Sequence, residues 1–208
     1  MASRSTKAGT CALCGHQAAK AKMVAHLTTC VIAHDKTRPG QPLLMLRLDA
    51  THDPRYWIVV EARADASLRQ LDAFLRQLWL ECCGHLSAFF VERREVGMGA
   101  RVDRALGIAS GKFDHEYDFG STTELSGQVV GTRQGAIGAP VRLLARNDSL
   151  RESCTQCATL ATVVCPYCID TDGGLLCNAH AVSHEHAADE AYLPVVNSPR
   201  MGVCGYTG

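Results

Sequence analysis

The stretch Leu43-Leu44-Met45-Leu46-Arg47-Leu48, followed by Thr51-His52-Asp53-Pro54 and Tyr56-Trp57-Ile58-Val59-Val60, decides the fold. Two short apolar runs flank a turn-like tetrapeptide, and the second run is rich in aromatic and β-branched side chains. That pattern predicts a β-hairpin. The period then changes. Ser67-Leu68-Arg69-Gln70 has the form of a capping box, with Ser67 capping and Gln70 reaching back. Leu68, Leu71, Leu75, Leu78 and Trp79 recur at helical spacing, and Gly84 is placed to stop that helix. Residues 86–91 read as a strand. Farther on, Phe113, His115, Tyr117 and Phe119 alternate with Asp114, Glu116 and Asp118, so a strand there puts aromatics on one face and acids on the other. Residues 125–130 and 141–145 are further strand candidates. Hairpin, helix and further strands predict an α+β domain: a β-grasp-like sheet with one main helix across it.

Outward from this domain, Lys36-Thr37-Arg38-Pro39-Gly40-Gln41-Pro42 reads as a linker, because two prolines and a glycine cannot continue a helix. A second boundary lies near Asn147-Asp148-Ser149. The expected pieces are therefore 1–38, 43–147 and 150–208. Of the 208 residues, 47% are hydrophobic and 20% charged, enough for a packed core. The formal net charge of zero hides a gradient: +5 over residues 1–40, −1 over 41–150 and −4 over 151–208. Only the N-terminal piece carries the charge to seek a phosphate backbone. No apolar run follows Arg4 and Lys7, so no secretory signal is expected. No stretch of about 18 apolar residues suggests a membrane span.

Eleven cysteines and nine histidines remain to be placed. An odd count cannot pair fully within the chain, and most of the cysteines stand at metal-ligand spacing. A cytoplasmic location is expected, where thiols bind metal, do chemistry or stay inert. Cys11-x2-Cys14-x11-His26-x3-Cys30 is one residue from common finger spacing. His26 and Cys30 are one turn apart on a helix expected over 18–31, and four N/S ligands close a tetrahedral structural zinc. His16 and His34 are alternatives to His26. Met23, Val24 and Leu27 are the few apolar contacts of this piece, so metal is expected to supply much of its folding free energy. Lys20 and Lys22 on the same helix are the candidates for phosphate contact.

The C-terminal run Cys154-x2-Cys157-x7-Cys165-x2-Cys168-x8-Cys177-x2-His180-x3-His184-x-His186 holds four ligand pairs. Their order resembles a B-box-type cross-brace. That resemblance implies one zinc on Cys154, Cys157, Cys177 and His180, and a second on Cys165, Cys168, His184 and His186. The final histidines are closer together than is usual in a B-box, which makes Cys204 an alternative to one of them. A one-zinc ribbon on Cys154, Cys157, Cys165 and Cys168 is the competing arrangement. With the N-terminal finger, two or three Zn2+ per chain are expected, in modules flanking the α+β domain.

The middle segment resembles the bacterial family named after the third open reading frame of an Ri plasmid, also labelled TnpR-like passengers of insertion elements. The matching text is Arg55-Tyr56-Trp57-Ile58-Val59-Val60, Ser67-Leu68-Arg69-Gln70-Leu71, His85-Leu86-Ser87-Ala88-Phe89 and His115-Glu116-Tyr117-Asp118-Phe119-Gly120-Ser121. It continues through Leu143-Leu144-Ala145-Arg146-Asn147 to the tail Asn197-Ser198-Pro199-Arg200-Met201-Gly202-Val203-Cys204-Gly205-Tyr206, roughly residues 43–208. Thr122-Thr123 stands where the family often has Trp. The resemblance implies a compact α+β domain. The TnpR label suggests a resolvase, but no stretch resembles a resolvase's serine catalytic region.

For an enzyme, Cys82-Cys83-Gly84-His85 is the best nucleophile candidate, since Cys beside His can form a thiolate. Against that, Cys82 shares an apolar helical face with Leu75, Leu78 and Trp79, which predicts a core thiol. The vicinal pair also suits sensing of oxidation or thiophilic metals. His115 is expected to pack with Phe113 and Tyr117, and Gly97-Met98-Gly99 reads as a loop. No paired catalytic carboxylates, Gly-x-Ser-x-Gly or Walker sequence is present. The leading reading is a non-catalytic, zinc-binding interaction protein whose structural metal sites support docking to a protein partner. Nucleic-acid binding through the basic N-terminal finger, linked to mobile elements, is the second. A thiol- or metal-dependent enzyme is the third.

Overall fold

The computed structural model describes residues 8–35, 40–107, 110–171, 173–189 and 191–208. They fall into two compact units. One takes the described residues up to Leu78 together with Leu86–Asp148, and the other takes Trp79–His85 with those of Ser149–Gly208.

The first unit is dominated by its sheet. Its elements are β1 (Ala8–Cys11), β2 (Gln17–Ala19), α1 (Lys20–His34), β3 (Gln41–Ala50), β4 (Trp57–Arg63), α2 (Leu68–Leu75), β5 (Ser87–Val91), β6 (Arg94–Val96), α3 (Val102–Leu106), β7 (Lys112–Tyr117), β8 (Thr123–Gly135) and β9 (Val141–Asn147). Nine strands form a single sheet in the order β2-β1-β9-β4-β3-β8-β7-β5-β6. All its described pairings are antiparallel. The hairpin is β3 and β4, with Leu44 opposite Ala62, Leu46 opposite Val60 and Leu48 opposite Ile58. The Ser67 capping box closes as its sequence predicts: Gln70 N–H donates to Ser67 Oγ at 3.3 Å, and Ser67 N–H donates to Gln70 Oε1 at 2.9 Å. Each such cap is worth about 1 kcal/mol.

Five features depart from the sequence reading. There is not one main helix: the longest is α1, in the segment expected to stand apart as a finger. Strands β1 and β2 join the large sheet, with Gly9 opposite Asn147 and Cys11 opposite Ala145. Of the expected linker, Gly40 leads into β3 and Gln41 and Pro42 open it; residues 36–39 lie outside the described residues. The helix begun at Ser67 widens into a π-turn at Arg76–Leu80 and ends there, short of Gly84. Finally, the alternation in β7 stops at Tyr117. Phe113, His115 and Tyr117 are buried, but Asp118 turns left-handed (φ 65°) and Phe119 faces solvent.

Helix α1 obtains its core from the sheet. Met23, Leu27 and Val31 are wholly buried against Met45, Trp57, Val59 and Leu144. Burying such side chains is worth about 2 kcal/mol each. Gly9 is required here, since any side chain at that position would run into the Trp57 ring. A charged pair of pairs lies beside this core. Glu61 is fully buried on β4 and is held by Arg133 (Nε–Oε1 2.6 Å) and Arg142 (Nη2–Oε2 2.6 Å). Both arginines also grip Asp35, just past the end of α1. Burial opposes ionisation of Asp35, but hydrogen bonds and attraction from Arg133 and Arg142 outweigh it and hold its pKa below the ordinary carboxylate value.

Removing one member of a buried ionic network leaves the others uncompensated. Glu61→Gln is therefore expected to cost about 3 kcal/mol of unfolding free energy in urea titrations. Because the Asp35 pKa is lower in the folded state, its contribution is complete above the unfolded value and is lost as pH falls through the folded one. Stability measured below about pH 4 should fall less steeply in Asp35→Asn than in the parent protein. Parallel acid limbs would show that Asp35 is not the responsible group.

Candidate metal centres

Four groups of Cys and His side chains suited to metal binding occur among the described residues, each with its donor atoms within 4.8 Å of one another. None of the cysteines is in a disulfide. A tetrahedral zinc with bonds of about 2.3 Å to sulfur and 2.0–2.1 Å to nitrogen places sulfurs roughly 3.8 Å apart, and sulfur and nitrogen roughly 3.5 Å apart.

The first group is Cys11, Cys14, His26 and Cys30. Cys11 ends β1, and the chain then reverses. Gly15 N–H donates to Cys11 O at 2.9 Å, with Gly15 left-handed (φ 75°), a conformation that favours glycine. This turn brings Cys14 back toward Cys11. His26 and Cys30 come from successive turns of α1. The separations are 3.8 Å for Cys11–Cys30, 3.6 Å for Cys14–Cys30 and 3.3 Å from Cys14 Sγ to His26 Nε2. His16 instead stacks on the His26 ring, and His34 Nδ1 lies 2.9 Å from the Cys30 carbonyl oxygen. The His16 backbone N–H lowers the pKa of Cys14. Burial, with the adjoining Cys14 and Cys11 thiols, pushes Cys30 up to about 12. A group whose buried thiol resists ionisation by itself needs a cation to become a thiolate set.

The second unit carries the other three. Its strands β10 (Val163–Val164), β11 (Leu175–Leu176) and β12 (Leu193–Pro194) form a small sheet in the order β11-β10-β12, and α4 (Asn178–Ala181) is one turn long. Cys154, Cys157, Cys177 and His180 form one group, and Cys165, Cys168, His184 and His186 another. Alternate pairs along the chain therefore meet, and the four cysteines of the ribbon arrangement divide between two groups. In the former, Cys154 Sγ and Cys177 Sγ lie 3.3 and 3.4 Å from His180 Nδ1, and Cys157 lies 3.9 Å from Cys177. Burial raises the Cys154 pKa, but backbone N–H groups of Cys177 and Gln156, with His180, bring it down to about 6. In the latter, His186 Nδ1 lies 3.5 Å from Cys165 Sγ and 3.4 Å from Cys168 Sγ. His184 Nε2 is buried without a hydrogen-bond partner, which leaves its lone pair available to a cation. Residues 182–186 follow the end of α4 as turns, which lets a His-x-His pair face one point.

Cys204 does not join the Cys165 group. It meets Cys82, Cys83 and His85 in a fourth. Cys82 is half-buried and Cys83 exposed, so the pair is not the core feature its helical face predicts. The helix ends at Leu80, before that face reaches Cys82. No local spacing could have joined Cys204 to Cys83, 121 residues away. As a nucleophile Cys83 is poorly placed: hydrogen bonds shared with Cys204 and Cys82 push it up to about 12.

The remaining charged and histidine side chains singled out above lie elsewhere. Lys20 Nζ pairs with Asp49 at 2.6 Å and also donates to the Pro54 carbonyl, while Lys22 is exposed. Asp114 and Glu116 line an open depression that also contains Arg93 and Glu124. His115 contacts Phe89 and bonds through Nε2 to Asp72 at 2.8 Å, a buried pair the sequence did not signal.

No family model and no curated protein matches the chain. A solved structure of a protein of unknown function, MM3350 from Methanosarcina mazei Go1, is similar to it with a TM-score of 0.45 and 10% identity, over 72% of this chain and 88% of that one. No described helix is long and apolar enough to cross a membrane.

The second unit's cysteine-rich core offers little besides ligands: Leu176, Ala181 and the partly buried Val163 and Tyr192. Treatment with a strong chelator should therefore abolish amide-exchange protection in residues 154–186 while leaving α1 and β4 protected. Equal loss in both regions, read by exchange mass spectrometry, would show that α1 also depends on metal.

Proposed function

We propose that this chain is a non-catalytic zinc-binding interaction protein, with structural Zn2+ held by Cys11, Cys14, His26 and Cys30, by Cys154, Cys157, Cys177 and His180, and by Cys165, Cys168, His184 and His186. The observation that carries the reading is the donor count. Each group supplies four N/S donors within 4.8 Å of one another, enough to fill a tetrahedral shell around one ion with no position left for a substrate or an activated water. Catalytic zinc sites keep such a position open. A reducing, cytoplasmic setting suits eleven cysteines of which none is in a disulfide. Kinship with the Ri-plasmid family, and with the B-box cross-brace in residues 154–186, belongs to the same reading.

The docking partner in this reading is a protein. Residues 151–208 carry a formal charge of −4 before any thiolate forms, which repels a phosphate backbone. On the basic N-terminal piece, Lys20 is already engaged by Asp49.

Cobalt substitution tests the closed shells. The Co2+-loaded protein should show intense tetrahedral d–d bands that added azide or cyanide leaves unchanged. A band shift on adding either anion would reveal an open coordination position and overturn the non-catalytic reading. Fluorescence anisotropy with duplex DNA and single-stranded RNA at low salt should show no saturable binding. Saturable binding that weakens steeply with salt would favour the nucleic-acid reading instead.

A further inference from the structure

We propose that Cys82, Cys83, His85 and Cys204 hold a fourth Zn2+, a long-range clamp that fastens the C-terminal tail to residues 79–85. The inference rests on the zinc reading of the other three groups and goes beyond it in number and role. Cys83 Sγ lies 2.9 Å from His85 Nε2, 3.5 Å from Cys204 Sγ and 3.6 Å from Cys82 Sγ. Cys204 Sγ lies 3.2 Å from the same His85 nitrogen. Sulfurs in a disulfide would be about 2.05 Å apart, and these sit instead near the edges of a metal tetrahedron. A nucleophilic dyad would give the imidazole one thiol. Here two sulfurs converge on one nitrogen and a third stands beside them, an arrangement that fits a central cation.

The backbone is shaped for it on both sides. Gly84, between two ligands, is left-handed (φ 79°), as Gly15 is after the first ligand pair. Cys204 itself is left-handed at φ 49°, a conformation a non-glycine residue keeps only where its surroundings fix it. The tail is already docked beside the group: Ser198 Oγ donates to the Trp79 carbonyl at 2.6 Å, and Arg200 N–H donates to Ser198 Oγ at 2.9 Å. Arg200 is fully buried, and its Nε donates to Cys82 Sγ at 3.4 Å. Three thiolates and one Zn2+ leave one net negative charge, and a buried guanidinium lies against one of the sulfurs. The metal closes a loop of 121 residues between Cys83 and Cys204, and such long loops gain most from a cross-link in chain-entropy terms.

Native mass spectrometry of the full chain, expressed with zinc supplied, tests the proposal. Four Zn2+ per chain are expected, and Cys204→Ser should carry three. In that variant exchange protection should drop in 198–206 and 79–85 but hold in 154–186. Should the variant fail to fold, the parent protein still decides. Iodoacetamide should label Cys82, Cys83 and Cys204 about tenfold more slowly before chelation than after it. Three Zn2+ with those three thiols labelled at the unprotected rate, while Cys11, Cys154 and Cys165 stay protected, overturns the clamp alone. No Zn2+ and no protection anywhere overturns the clamp together with the three-zinc reading. A disulfide linking any of Cys82, Cys83 and Cys204 in freshly reduced and repurified protein overturns the clamp as well.

Discussion

Met23, Leu27 and Val31 lose all their exposed surface against Met45, Trp57, Val59 and Leu144, and this apolar contact sets what metal has to do elsewhere in the chain. A helix that buries three large side chains on a sheet has an apolar source of stability of its own. Its donors His26 and Cys30 stand on that helix and Cys11 on a strand paired with β9, so three of the four donors are placed by the fold of the sheet. Among the described residues of 154–186 the buried cluster is mostly cysteine, with Leu176 and Ala181 beside it and Val164 buried as well. There, the binding free energy of an ion would be folding free energy. The same donor chemistry would therefore weigh differently in the two places, according to how much apolar surface lies beneath it.

What could be read in the sequence was what is local. The Ser67–Gln70 capping box, the β3–β4 hairpin and the Cys-x2-Cys pairs each depend on residues a few positions apart, and each forms. What escaped depends on distance along the chain. β1 finds β9 across more than 130 residues, so a segment that looked like an independent finger is an extension of the sheet. Glu61 is fully buried on β4 because Arg133 and Arg142 arrive from β8 and β9, more than 70 residues away along the chain. Cys82 departs from its helical expectation for a different reason: a π-turn ends the helix at Leu80 and takes the cysteine out of the apolar stripe. The Cys204 group depends on both effects, a broken local period and a partner 121 residues away.

Charge separates the metal groups more sharply than spacing does. With zinc bound, the Cys165 group has two thiolates and two imidazoles and is neutral, whereas each three-thiolate group keeps one negative charge. That charge must be met in different ways. At Cys154 it is met by backbone N–H groups, including that of Gln156 at 3.4 Å, so the sulfur is stabilised by dipoles that need no counterion. Near Cys204 it is met by a full cation: Arg200, with no exposed surface, donates to Cys82 Sγ at 3.4 Å. Backbone dipoles beside Cys154 ask nothing of a distant residue, whereas the guanidinium reaches its sulfur only while the tail lies against residues 79–85, so the balancing charge depends on long-range folding in the Cys204 group and on local backbone in the Cys154 group.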